Sequence, residues 1–195
     1  MDERLREWVN GGAGSQPTLD SLMRFVAERA ELLFILFVVG WWLWGLLRHS
    51  TTDRWGAVAA LLASGLGLLV NQVIGHIVSR PRPFTAYPGA THLLVPASTD
   101  SSFPSDHAVA AVAIAVVTLA VHRRVGAVVL AAALLLCVAR VYVGAHYPGD
   151  VAAGALIGVV SAAIVLRSAR PLLSLAAAAV HVPRRVRELG GLITL

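Results

Sequence analysis

Lysine is absent from the sequence, so every permanently charged basic side chain is an arginine. Cysteine occurs once, at Cys137 within an apolar run, which excludes a disulfide and a thiolate metal site. Charge of either sign is scarce: Asp, Glu, Lys and Arg make up 14% of the 195 residues, against about 25% in an ordinary soluble domain. The first 28 residues hold Asp2, Glu3, Arg4, Arg6, Glu7, Asp20, Arg24 and Glu28 but no apolar h-region, so no cleaved signal peptide is expected. The net charge of +5 comes from arginines spread over segment ends, with no basic patch interleaved with aromatics, which argues against nucleic acid as a partner. No internal repeat or low-complexity linker is visible.

What the chain does have is apolar length. Hydrophobic residues make up 57% of it, and they fall into five runs: 32–47, 55–79, 105–121, 125–144 and 151–166. A helix rising about 1.5 Å per residue needs roughly 20 residues to cross a hydrocarbon core about 30 Å thick. The reading is an all-α integral membrane bundle of about five transmembrane helices, with interfacial helices at both termini. Residues 1–195 form one domain in this reading: an interfacial N-terminal segment (1–29), a transmembrane catalytic core (30–170) and a basic interfacial tail (171–195) carrying Arg184, Arg185 and Arg187. Trp41, Trp42 and Trp44 close the first run where an interfacial belt would place them. Gly154 and Gly158 make a GxxxG step suited to close helix packing.

Arginine placement sets the orientation. Arg48 and Arg54 flank the first turn, Arg123 and Arg124 the third, and Arg167, Arg170, Arg184, Arg185 and Arg187 follow the fifth run. Those ends belong on the cytoplasmic side, and the acid-rich N-terminal segment belongs outside. The loop after the second run and the turn after the fourth then emerge together on the outer face of a multi-pass membrane protein.

That face collects the ionisable residues. The stretch from Arg80 to Pro104 is broken by Pro81, Pro83, Pro88, Pro96 and Pro104 and is long enough to be functional. Three groups stand at span ends: Arg80-Pro81-Arg82-Pro83, Pro104-Ser105-Asp106-His107, and Arg140 followed by His146 and Asp150. Ionisable residues gathered at one membrane depth mark function by default. Arginines, two histidines and a carboxylate suit phosphoryl transfer, because guanidinium forks match phosphate oxygens and neutralise charge developing at phosphorus. Ser105 is the expected N-cap of the third span, so the free N–H groups of that helix also face an anion. His146 can attack as a neutral imidazole oriented by Asp150, four residues on, while His107 is the candidate general acid. The same residues have plainer explanations one by one: Arg140 as a snorkelling arginine, His107 as a helix cap, Asp150 as a dipole partner. Asp100, Ser101 and Ser102 read as solvated loop, Asn71 and Gln72 as interhelical polar contacts, and His49, His92, His122 and His181 as interfacial.

Together the three groups resemble the signature of the type 2 phosphatidic acid phosphatase superfamily: Lys-x6-Arg-Pro, Pro-Ser-Gly-His and Ser-Arg-x5-His-x3-Asp. The match spans residues 75 to 150. The resemblance implies His146 as the nucleophile forming a phosphohistidine, Asp150 as its partner and His107 as the acid that later activates water. It further implies a phosphate held by Arg82, Arg140, Ser105 and the Asp106 backbone, with no metal and no other cofactor. This chain departs from the pattern at Gly75, Asp106 and Ala139, which stand where the family has lysine, glycine and serine. The contact of the lysine is either missing or taken over by His76 or Arg80. Pro-Ser-Asp-His beside Arg-Pro-Arg-Pro-Phe resembles the bacitracin-resistance type of undecaprenyl diphosphatase, so the expected partners are a membrane and a lipid phosphate substrate. Phosphatidic acid and phosphatidylglycerol phosphate are the alternative substrates. A transporter, a catalytically dead lipid-binding scaffold and a vanadate haloperoxidase are the alternative functions. A transporter predicts mid-span charges and an inverted repeat, and the haloperoxidases are soluble.

Overall fold

A computed structural model describes residues 1–179, with side chains to residue 168. The tail residues His181, Arg184, Arg185 and Arg187 lie outside the described residues. Every described element is helical: α1 (Asp2–Asn10), α2 (Pro17–Leu47), α3 (Thr51–Val78), α4 (Pro83–Ala86), α5 (Asp106–Val121), α6 (Arg123–Tyr142) and α7 (Pro148–Ala179). Local chemistry marks the boundaries. Pro17 sits in the first turn of α2, where its missing N–H costs nothing. Ser50 caps α3 by accepting from Asp53 N. Gly144, at φ +77°, turns the chain after α6 in a conformation that L side chains rarely adopt.

The helices α2, α3, α6 and α7 are long and apolar enough to cross a membrane, while α5 is a shorter apolar helix. With 16 residues, α5 rises about 24 Å, short of a core about 30 Å thick. It tolerates this because it is the centre of the bundle: it packs on α2, α3, α6 and α7, and Ala108, Ala111, Val112, Ala115 and Val117 are all buried.

Small residues bring α7 against α5. A Cβ at Gly154 would stand 2.5 Å from Ser105 O, and one at Gly158 2.6 Å from Val109 O. The expected GxxxG packing is thus a contact with the helix that starts at Ser105. α7 continues past Arg170 to Ala179, so the first part of the expected interfacial tail extends this helix.

One expectation about the ends is corrected. Trp41 is not part of an interfacial belt: it is 8% exposed and donates from Nε1 to Asp53 Oδ1 at 2.9 Å. His122 is paired with the same carboxylate. At the other end, α1 docks onto the loops. Arg6, fully buried, donates to Ala90 O and Thr91 Oγ1, each at 3.0 Å. Asn10 donates to His92 O at 2.8 Å and Tyr142 O at 2.7 Å, tying the loop before α5 to the end of α6.

Candidate active site

The turn between α6 and α7 buries His146 to 2% exposure. Its Nδ1 lies 2.8 Å from Ser102 O. A carbonyl oxygen can only accept, so Nδ1 carries the proton and Nε2 presents its lone pair. Arg82 Nη1 and Arg140 Nη2 each stand 3.3 Å from Nε2. Burial, reinforced by these two cations and opposed by Asp150, holds the imidazole below its usual proton affinity. The neutral ring is the form a nucleophile requires.

Asp150, in the first turn of α7, is fully buried. Its Oδ2 accepts from Ser102 Oγ and from Tyr147 N at 2.9 Å, and its Oδ1 from Arg80 Nη1 at 2.7 Å. Asp150 Oδ2 lies 3.7 Å from His146 Nδ1, too far for a hydrogen bond. The carboxylate therefore acts on the ring through space and through Ser102, whose hydroxyl and carbonyl connect the two. Reading Ser102 as solvated loop is thus corrected: it is fully buried at the centre of the pair.

Arg82 caps the one-turn α4 and is 6% exposed. It donates to Ala145 O at 3.0 Å and pairs with Asp100 at 2.9 Å. Partial burial raises the proton affinity of Asp100, but donation from Ser98 and Arg82 outweighs it and keeps the carboxylate charged. Arg140 reaches from the last turn of α6, and its Nε has no hydrogen-bond partner among the described residues. Ser105 N donates to Asp150 O at 3.1 Å, joining the start of α5 to α7. Ser105 Oγ, buried, has no partner among the described residues, and the first-turn N–H groups of α5 have no intrahelical acceptors.

Asp106 turns its side chain the other way. Oδ1 accepts from Asn71 Nδ2 at 2.6 Å, and the same nitrogen donates to Pro104 O at 3.2 Å. Asn71 is thus the interhelical contact expected of it, and the Asp106 side chain is engaged there. His107 Nε2 lies 3.6 Å from Glu31 Oε2 of α2.

A cavity of about 380 Å³ brings Arg82, Arg140 and His107 together with Arg29 of α2, Phe84 and Ala145. His76 and Arg80 are placed elsewhere. His76 Nδ1 contacts Gln72 O at 2.7 Å within α3, on a second cavity shared with Asp106 and Gly75. Arg80 is committed to Asp150 and to Asp2, each at 2.7 Å, and lies over the Tyr147 ring at 3.7 Å. Among the described residues no group of three or more His, Cys, Asp or Glu side chains could hold a metal. The motif reading missed Ser102, Asp100, Glu31 and Asp2, none of which carries a local pattern.

The sequence matches the PAP2 superfamily over residues 56–173, which contain all three motif groups. The chain belongs to the PAP2 superfamily. It is 32% identical to the undecaprenyl-diphosphatase BcrC of Bacillus subtilis over 160 residues, covering 82% of this chain and 80% of that one. Among solved structures it is similar to LpxE of Aquifex aeolicus, with a TM-score of 0.68 and 26% identity over 85% of this chain and 94% of the other. A PAP2-type phosphatidylglycerolphosphate phosphatase of Bacillus subtilis shares the fold, with a TM-score of 0.63 and 24% identity over 87% and 86% of the two chains. This PAP2 protein is a multi-pass membrane enzyme that hydrolyses a lipid phosphate.

Proposed function

We propose that this PAP2 enzyme cleaves the terminal phosphate from undecaprenyl diphosphate, on the outer side of the bacterial plasma membrane, as one domain whose catalytic core is residues 30–170. The observation that carries the mechanism is the unprotonated Nε2 of His146 between two guanidiniums, with its proton fixed on Nδ1 by Ser102 O. Nε2 attacks the terminal phosphorus, an N–P bond forms, and the P–O bond to the lipid monophosphate breaks. Arg82, Arg140, Ser105 and the α5 backbone N–H groups hold the phosphoryl oxygens as charge shifts onto them. His107 gives a proton to the departing oxygen and then takes one from the water that attacks phosphorus, which breaks the N–P bond and releases inorganic phosphate.

Similarity to BcrC supports the substrate, as does the Pro-Ser-Asp-His form of the second motif. The alternation of arginine-rich ends supports the outward orientation. The test uses purified protein in detergent with EDTA and follows phosphate release from undecaprenyl diphosphate, phosphatidic acid and phosphatidylglycerol phosphate. The expected order puts the diphosphate first. Preference for either monoester would overturn the substrate, and no release from any would overturn the activity.

A further inference from the structure

The three motifs supply side chains from the loop before α5, from α5 itself, from α6 and from the α6–α7 region, yet the cavity has another wall. α2 lines it with Ala27, Glu28 and Arg29, and Glu31 of the same helix brings Oε2 to 3.6 Å from His107 Nε2.

The chemistry of the two steps makes this contact consequential. His107 has to be protonated when the leaving oxygen departs, although Arg140 of α6 and Arg82 of the loop line the same cavity, with His146 of the turn against both guanidiniums. Two guanidiniums oppose a further positive charge beside them. Of the carboxylates nearby, Asp100 is paired with Arg82 at 2.9 Å, and Asp106 is engaged with Asn71 at 2.6 Å. Glu28 lines the cavity next to Arg29, whereas Glu31 brings its carboxylate to 3.6 Å from the ring's Nε2.

We infer that Glu31 is a positioning residue of the reaction, its carboxylate 3.6 Å from His107 Nε2 favouring the protonated ring that gives its proton to the leaving oxygen. As the P–O bond breaks, that proton passes from the ring to the oxygen and the ring becomes neutral. When water attacks the phosphohistidine, its proton returns to the ring and the imidazolium beside Glu31 is restored. The inference rests on the phosphatase mechanism above and adds a residue outside the family signature.

The test compares wild type with Glu31→Gln and Glu31→Asp by two readouts. In turnover of undecaprenyl diphosphate, Glu31→Gln lowers kcat about 10- to 100-fold, the range of a compromised general acid, with KM within about threefold. The alkaline limb of its kcat profile moves to lower pH, and Glu31→Asp recovers part of the loss. The second readout needs no turnover: histidine-selective NMR of the detergent-solubilised protein, with the resonance assigned by His107→Gln. The His107 resonance titrates at lower pH in Glu31→Gln than in wild type. An unmoved titration would overturn the inference whatever the activity. So would a variant whose KM rises while kcat and the pH limb stay put, because Glu31 would then only shape the cavity mouth. An inactive wild type with a moved titration would sink the phosphatase mechanism and leave the Glu31 contact standing.

Discussion

Replacing Ser102 by alanine removes a hydroxyl that no motif contains, and its effect can be worked out from the contacts. The Oγ donates to Asp150 Oδ2 where both residues are fully buried. A hydrogen bond to a charged group contributes about 1.5–3 kcal/mol, and roughly 1.4 kcal/mol is a factor of ten in rate. The full loss is not expected in kcat, because Asp150 keeps Tyr147 N at 2.9 Å and Arg80 Nη1 at 2.7 Å. Alanine also keeps the carbonyl that accepts from His146 Nδ1, so the ring retains its tautomer. The expected outcome is a kcat lowered about 10- to 50-fold, KM within about threefold, and a lower melting temperature in detergent. Phosphate release at saturating substrate measures it, with a thermal melt on the same preparation. A kcat within about twofold of wild type would refute the reasoning, since Asp150 would then be oriented without Ser102.

Three further outcomes follow. Arg80→Gln should lower kcat and leave KM nearly unchanged, because Arg80 holds Asp150 and does not line the cavity; a raised KM at normal kcat would make it a phosphate ligand instead. Gly154→Ala places a methyl 2.5 Å from Ser105 O, and overpacking of this kind costs about 1–3 kcal/mol. It should lower both the melting temperature and kcat, and a fully active variant of normal stability would contradict the close α5–α7 contact. Because folding lowers the proton affinity of His146 beneath its ordinary value of 6.5, the unfolded chain binds more protons there, and this residue's contribution to stability is present above that value and lost as pH falls through it. Melting temperatures from pH 8 to pH 5 should therefore fall less steeply in His146→Gln than in wild type; parallel slopes would show that His146 is not held neutral by the fold.

The sequence made the bundle legible because apolar runs of spanning length report directly on a bilayer. It made His146, Asp150 and Arg140 legible because their spacing places them at one helix end and the turn that follows. α5 was less plain: its run looks like any other span, and only packing reveals it as the short central helix. Ser102 was misread because a Ser/Asp stretch between prolines looks solvated, and its burial depends on the first turn of α7 packing over it. Glu31, Asp2, Arg6 and Asn10 act on loops distant in the chain, through contacts that no local periodicity encodes. Arg80 illustrates the remaining difficulty: a motif shows where a cation stands but not whether it faces phosphate or the carboxylate behind it.

The central claim is that His146 Nε2 forms a bond to phosphorus. Rapid acid-free quenching with undecaprenyl diphosphate labelled in its terminal phosphate, followed by peptide mapping, tests this most directly. The account predicts label on the peptide carrying His146, acid-labile and base-stable, forming faster than free phosphate appears and absent in a folded His146→Ala variant. Turnover retained by His146→Ala, or label found on His107 instead, would contradict it.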